Sequence, residues 1–145
     1  MATKQFKISA KLVENFKIEA QIRDHHLIVD QPKLAGGNNE GPSPLEYNCF
    51  SLAACVLSIG QIIAKQKRIE LRNFEATVIS ELDPDVYMGK NKELRSGFTS
   101  FKVLTKIDAD MSIEEKKAFL EEIDLRCPVS ENLQQATSVT LELDQ

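Results

Sequence analysis

The chain has few cysteines, and no two of them are close together. Its 145 residues include three cysteines, Cys49, Cys55 and Cys127. A small, odd number argues against a structural disulfide framework and leaves metal binding or redox chemistry as the alternatives. None of the cysteines has the close spacing usual in structural zinc sites, so we expect no metal. Redox chemistry is the stronger interpretation.

The chain also lacks an excess of positive charge and an N-terminal signal segment. Its formal net charge is −4, so we expect no nucleic-acid surface. No basic stretch followed by an apolar run opens the sequence, which predicts a cytoplasmic protein. The length and the 42% hydrophobic content suit one domain spanning residues 1–145.

No long apolar run is uninterrupted, but one stretch comes close and organises the chain. A glycine-rich segment from Gly36 leads to Ser43, Pro44 and Glu46, which form a capping box at the start of a helix. Apolar residues then occupy nearly every face of residues 45–64, broken by polar positions. This pattern predicts a central core helix surrounded by protein rather than a membrane span.

Cys55 lies near the middle of that helix. It shares one stripe of the helix with Leu52, Ile59 and Ile62, because these four residues follow one another at intervals of three, four and three positions. Taken alone, a cysteine on such a stripe is most often an inert buried residue. Cys49, six residues earlier and on another face, is interpreted as packing.

The second cysteine of interest ends a second helix. Ser112 and Glu115 form another capping box, and the apolar spacing of the helix ends at Cys127. Pro128 should break the helix and start a new turn. Free N–H groups at that new helix start predict a favoured thiolate on Cys127. Two cysteines that are far apart in the sequence are thus both expected to face the same protein core, as a thiol–disulfide pair requires.

In the remaining segments apolar and polar residues alternate, as they do in β-strands. This pattern predicts an α+β domain with an antiparallel sheet packed against a long central helix and a second helix. The predicted strands are residues 5–12, 15–23, 26–30, 73–83, 98–107 and 138–144.

Two motifs make the sequence resemble a known family. They are GGNNEGPSPLEYNCFSLAAC at residues 36–55 and RCPVSENL at residues 126–133. The chain resembles the OsmC/Ohr family of thiol-dependent hydroperoxide reductases, and the spelling PSPLEY is closer to the general OsmC-like branch.

The resemblance implies a function and an assembly. It implies that Cys55 is the peroxidatic cysteine, that Cys127 resolves its sulfenic acid to a disulfide, and that organic hydroperoxides are the substrates. It implies no bound cofactor, because an external dithiol regenerates the thiols. It also implies an intertwined homodimer with the OsmC-like fold.

One feature departs from the family pattern. The Ohr archetype stabilises its thiolate with an arginine from the second strand, held by a glutamate directly after the helix proline. Here the acid comes one place later, as Glu46, so it is either a thiolate-site partner or only a helix cap. The arginine has no evident counterpart, and the candidates are Lys11, Lys17, Arg23 and Arg126. Lysine would not reproduce the two-pronged contact of arginine with a carboxylate.

Two other function classes remain open at this point. An apolar cavity beside Cys55 would suit a non-enzymatic protein that binds a small lipid-like or thiol-bearing ligand. A reversible disulfide would suit a redox sensor that changes its partner binding. Turnover with a dithiol separates the enzyme from both alternatives.

Overall fold

The computed structural model describes residues 2–144 and has an α+β fold. The chain divides into two compact units after Asn48. The first unit holds a three-stranded sheet and the start of the long helix. The second holds the rest of that helix, a two-stranded sheet and the remaining helices. The single antiparallel sheet predicted from the sequence is therefore two separate antiparallel sheets.

The first unit is an antiparallel meander. Its strands are β1 (Ala10–Glu14), β2 (Lys17–Ile22) and β3 (His25–Val29), hydrogen-bonded in that order. Asn15 and Arg23 adopt positive φ angles of 50° and 53° in the two tight turns. The meander confirms the predicted order, but the first strand starts later than the predicted residue 5. Phe6 and Ile8 are exposed there, and no neighbouring strand pairs with them among the described residues.

A glycine-rich loop follows β3 and wraps around a buried carboxylate. Asp30 is 1% exposed and accepts backbone hydrogen bonds from Gln31 at 2.7 Å, Glu40 at 3.1 Å and Asn38 at 3.3 Å. Gly37 is required because a Cβ atom there would collide with the Gln31 carbonyl. The carboxylate thus fixes the loop that leads into the long helix.

The long helix α1 (Pro44–Lys67) begins where the sequence predicts. Ser43 and Glu46 exchange the two hydrogen bonds of the capping box. The helix is long and apolar enough to span a membrane by length and composition alone, yet Leu52 and Ile63 pack in a protein core.

The prediction that α1 is surrounded by protein on all sides is wrong for a single chain. Only 28% of its most apolar 18-residue stretch is buried. Phe50 and Ile62 are 66% and 45% exposed. The described part of the chain therefore buries only part of the surface of this helix.

The second unit surrounds the cysteines. The strands β4 (Asn73–Glu81) and β5 (Ser100–Asp108) pair along their whole lengths. A short helix α2 (Pro84–Tyr87) lies in their connection. Helix α3 (Ile113–Arg126) starts at the predicted capping box of Ser112 and Glu115, and helix α4 (Pro128–Gln134) follows the predicted break. The core of this unit contains Leu52, Val56, Ile63, Phe119, Ile123 and Cys127.

The predicted last strand, residues 138–144, does not form. No strand is assigned there, and Val139, Leu141 and Leu143 are 82%, 97% and 83% exposed. The alternation of apolar and polar residues is present, but a strand also needs a neighbour to share its hydrogen bonds. No such neighbour is found within the described part of the chain.

Candidate active site

Cys55 lies at the margin of the buried face of α1. The predicted stripe through Leu52, Cys55, Ile59 and Ile62 is displaced, because the most buried positions include Val56 in place of Cys55, while Ile62 is exposed. Cys55 is half-buried and packs against the core of the second unit. This marginal position leaves Cys55 less buried than the core residues around it.

Cys127 lies at the junction of two helices. It ends α3, caps the start of α4 and is 1% exposed. Its Sγ accepts a hydrogen bond from the backbone N–H of Ser130 at 3.5 Å. Pro128 produces this corner because proline is accepted in the first turn of a helix but not in its interior. The turn aims the side chain of Cys127 inward.

The two thiols are neighbours in the fold. Cys55 and Cys127 are both free thiols, and Cys55 is close enough to influence the pKa of Cys127. The fold of the second unit therefore brings together two residues that are 72 positions apart in the sequence. Cys49, the third cysteine, is half-buried.

The environment of Cys127 favours its protonated form. Burial raises the pKa of the Cys127 thiol, and the neighbouring Cys55 raises it further. The N–H groups of Ser130 and Val129 lower this pKa but do not outweigh the burial. The prediction of a favoured thiolate at Cys127 is therefore wrong, because the sequence shows the helix start but not the desolvation.

Glu46 serves the N-terminus of its own helix. Its Oε1 accepts the backbone N–H of Ser43 at 2.9 Å, and its own N–H donates to the Ser43 hydroxyl at 3.2 Å. The same N–H of Ser43 lowers the pKa of the Glu46 carboxyl. The capping interpretation is thus directly visible, while a role as thiolate-site partner stays a prediction.

The basic candidates have partners of their own. Lys17 lies 3.3 Å from Glu40 and 3.6 Å from Glu19. The guanidinium of Arg126 donates to Gln66 at 3.0 Å and lies 3.5 Å from Glu122. Gln66 is eleven residues beyond Cys55 on α1, about 16 Å along the helix axis.

The guanidinium of Arg126 is therefore held toward the C-terminal end of α1, beyond Cys55 on that helix. Lys11 and Arg23 are exposed, in β1 and in the turn after β2. Residues 2–144 contain no group of three or more histidines, cysteines and acids placed to hold a metal ion.

Comparison with known proteins supplies the family. The family model described as OsmC-like protein matches residues 37–142, which include both cysteines of the thiol pair. The chain belongs to the OsmC-like family. No curated relative matches the sequence.

Solved structures similar to this OsmC-like protein have the same fold. An OsmC-like protein from Mycoplasma pneumoniae shares 24% sequence identity with this chain and superposes with a TM-score of 0.78. The match covers 92% of this chain and 89% of the Mycoplasma pneumoniae chain. An organic hydroperoxide resistance protein OsmC from Legionella pneumophila is 20% identical with a TM-score of 0.62, covering 92% of each chain. An organic hydroperoxide resistance protein from Elizabethkingia anophelis is 19% identical with a TM-score of 0.61, covering 90% and 89%. At these identities the likeness establishes the α+β fold.

Sequence reasoning missed the polar side chains behind Cys127. Ser130, Asp124 and Gln134 are hydrogen-bonded to one another at the corner of α3 and α4. A serine three residues after the cysteine was the available signal, because that spacing places its N–H against the side chain that caps the helix. In this OsmC-like protein these three side chains join the end of α3 to α4 next to Cys127.

Proposed function

We propose that this OsmC-like protein is a thiol-dependent peroxidase that reduces organic hydroperoxides. The observation that carries the proposal is the proximity of the half-buried Cys55 to the buried thiol of Cys127, which belongs to the core cluster that Cys55 packs against. The names of the similar proteins from Legionella pneumophila and Elizabethkingia anophelis, both organic hydroperoxide resistance proteins, support the same chemistry.

The first step oxidises Cys55. Its thiolate attacks the terminal oxygen of the hydroperoxide, the O–O bond breaks, and the alkoxide leaves and takes up a proton to become an alcohol. Cys55 is then a sulfenic acid. The hydroperoxide has gained two electrons and the sulfur has lost two.

The second step forms a disulfide. Cys127 attacks the Cys55 sulfur and expels the hydroxyl group, which leaves as water with the proton of the Cys127 thiol. An external dithiol then exchanges with the Cys55–Cys127 disulfide, returns both cysteines to thiols and is itself oxidised. No bound cofactor takes part in this cycle.

Accessibility and protonation support the two roles. The first nucleophile must meet substrate from outside, and Cys55 is the less buried residue of the pair. Cys127 is buried and its raised pKa keeps it a thiol until Cys55 is oxidised. A buried, protonated partner suits the resolving role, since it meets the sulfenic acid and not the bulk solvent.

The surroundings of the thiols support an organic substrate. Leu52 and Ile123 are buried beside the cysteines, and Ile59 and Leu120 pack against the same cluster. Such a lining favours an alkyl or aryl hydroperoxide, because the organic group gains about 25 cal/mol for each Å² of apolar surface removed from water. Hydrogen peroxide has no apolar surface to gain this energy.

A homodimer is part of the proposal. α1 exposes Phe50 and Ile62, and the unpaired C-terminal segment exposes Val139, Leu141 and Leu143. An apolar helix face and an alternating segment without a partner are surfaces that a second chain would cover. Light scattering after size exclusion should give twice the mass of the 16.3 kDa chain. A monomeric mass at micromolar concentration would contradict this part of the proposal.

Steady-state turnover tests the proposed activity. Consumption of cumene hydroperoxide is measured with dithiothreitol or dihydrolipoamide as the reductant, and with hydrogen peroxide as the competing oxidant. We expect kcat/KM to be at least about tenfold higher for cumene hydroperoxide, and turnover to be lost in Cys55→Ser.

Cys49→Ser is the matched control, because Cys49 is on the same helix outside the thiol pair. It should retain turnover. A folded wild-type protein that consumes no hydroperoxide with either reductant would overturn the enzymatic proposal. Equal rates for the two oxidants would overturn the substrate class.

A further inference from the structure

We propose that Asp124, Ser130 and Gln134 are positioning residues for the resolving thiol, and that they govern the disulfide-forming step without governing the oxidation of Cys55. This inference rests on the proposed function, since it divides that reaction between two groups of residues. The three side chains are called the corner lock below, because they join the end of α3 to α4.

The corner lock is closed by three hydrogen bonds. The hydroxyl of Ser130 donates to Asp124 Oδ1 at 2.7 Å. Gln134 Nε2 donates to the Ser130 hydroxyl oxygen at 2.7 Å and to Asp124 Oδ1 at 3.2 Å. Asp124 belongs to the last turn of α3, and Gln134 is the last residue of α4. The lock therefore fixes the direction in which α4 leaves α3.

Cys127 is held by the same corner. Ser130 is 8% exposed, and its backbone N–H donates to Cys127 Sγ at 3.5 Å. Its hydroxyl both donates within the lock and accepts within it, so it is committed to Asp124 and Gln134. The Ser130 side chain thus acts on the sulfur through the position of its backbone. That makes it a positioning residue.

The resolving step depends strongly on this position. Disulfide geometry is narrow, so the Cys127 sulfur must approach the Cys55 sulfur along a defined direction. A misplacement of about 1 Å between two reacting groups can cost about a hundredfold in rate. The oxidation of Cys55 by a hydroperoxide does not use the sulfur of Cys127 as a nucleophile. Loosening α4 should therefore slow the second step and spare the first.

Two oxidants separate this inference from the peroxidase proposal. Cumene hydroperoxide converts Cys55 to a sulfenic acid. Oxidised glutathione instead forms a mixed disulfide on Cys55 and releases one glutathione. After oxidation by oxidised glutathione, Cys127 attacks the Cys55 sulfur and displaces the bound glutathione, which leaves with the proton of the Cys127 thiol. Quenched-flow mass mapping measures the rate of Cys55–Cys127 closure in both cases.

Three variants and a control define the test. Ser130→Ala opens the lock and should slow closure by about 10- to 100-fold with both oxidants. Asp124→Asn removes the charged acceptor at an exposed position, keeps the fold and should slow closure less. Ser130→Thr keeps the hydroxyl and should restore closure to within about threefold of wild type. Ser112→Ala removes the cap at the other end of α3 and serves as the matched control.

The first step is measured in the same variants with Cys127→Ser added. The rate at which dimedone traps the Cys55 sulfenic acid should then agree within about twofold between the variants and their parent. Closure at the wild-type rate in both Ser130→Ala and Asp124→Asn would overturn the inference. Equal slowing of both steps, or slowing of closure by Ser112→Ala to the same extent, would also overturn it.

Failure of the proposed function gives a different result. A wild-type protein that closes the disulfide from the mixed disulfide but not from cumene hydroperoxide would remove the peroxidase and leave the corner lock standing. A wild-type protein that closes the disulfide in neither case would overturn both.

Discussion

Asp30 and Cys127 are two buried polar side chains with similar surroundings, but their pKa values are shifted in opposite directions. Each is 1% exposed, each lies where a regular element ends, and each accepts backbone N–H groups from the residues that follow it. The pKa of Asp30 is lowered and the pKa of Cys127 is raised. One centre is therefore an anion at neutral pH, and the other keeps its proton.

The strength and number of the N–H donors explain the difference. The backbone N–H of Glu40 is the largest influence on Asp30, and those of Gln31 and Asn38 add to it, so the hydrogen bonds outweigh the burial. For Cys127 burial is the largest influence, and the donors reach only a weakly accepting sulfur. A permanent anion makes Asp30 a structural anchor. In the proposed cycle, Cys127 keeps its proton until Cys55 is oxidised.

The largest expected effect comes from removing the anchor. Asp30→Ala leaves three buried N–H groups without their acceptor, and each unpaired group is costly. We expect the Tm to fall by about 10 °C or more in differential scanning calorimetry. Asp24→Asn, at an exposed turn position, removes one negative charge without this loss and should leave the Tm nearly unchanged. Equal Tm values for Asp30→Ala and wild type would show that the loop does not depend on the carboxylate.

A smaller loss should follow from crowding the same loop. A Cβ atom at Gly37 would collide with the Gln31 carbonyl and lie 2.8 Å from Asp30 Oδ1. Gly37→Ala should therefore lower the Tm by roughly 5 °C. At Gly97 the nearest atom to an added Cβ would be a flexible arginine nitrogen at 3.7 Å, so Gly97→Ala is the control. If both variants melt together, the loop has room that the structure does not show.

The two centres should also mark opposite ends of the pH profile of stability. A lowered folded-state pKa means that the contribution of Asp30 is present above its unfolded pKa of about 3.9 and is lost as the pH falls through the folded value. The raised folded-state pKa of Cys127 gives a contribution that is present below about pH 8.5 and lost as the pH rises through the folded value.

Urea unfolding at a series of pH values tests both signs. The stability difference between wild type and Asp30→Asn should be largest near neutral pH and shrink below about pH 4. The stability advantage of wild type over Cys127→Ser should shrink above about pH 8.5. A difference that is constant across either range would contradict the pKa shift of that centre.

The smallest expected effect concerns Glu46, whose carboxylate also accepts a backbone N–H but at an exposed helix start. Ser43→Ala and Glu46→Gln each weaken one capping box, so each should cost about 1 kcal/mol or less. If Glu46 is only a cap, the two variants should also oxidise Cys55 at the same rate. A rate at least about tenfold lower in Glu46→Gln alone would make Glu46 a partner of the thiolate site.

Local signals predicted the fold well where the cause was local. Ser43 and Ser112 start the two main helices because each capping box is contained within four residues. Pro128 breaks the chain where predicted for the same reason. Ser43 and Pro128 lie within the family motifs at residues 36–55 and 126–133, so the position of Cys55 on α1 and that of Cys127 at the end of α3 followed from the sequence.

Predictions that depended on distant surfaces failed. The alternation of residues 138–144 says nothing about whether a strand is available to pair with them. Part of the apolar surface of α1 stays exposed in the single chain, and the sequence pattern alone does not show which apolar positions a chain buries. The thiolate expected at Cys127 depended on a burial that helix patterns do not reveal. Asp30 was visible only as the end of a strand, although an acid followed by a glycine-rich loop was a usable signal.

The proposed peroxidase cycle depends most directly on the pairing of Cys55 with Cys127. One equivalent of cumene hydroperoxide is added to the reduced protein, and its peptides are mapped without reduction, beside Cys55→Ser and Cys127→Ser. We expect a linked Cys55–Cys127 peptide in wild type and a trapped sulfenic acid on Cys55 in Cys127→Ser. If the folded protein keeps Cys55 as a thiol, or links Cys55 to Cys49, the proposed thiol pair is contradicted.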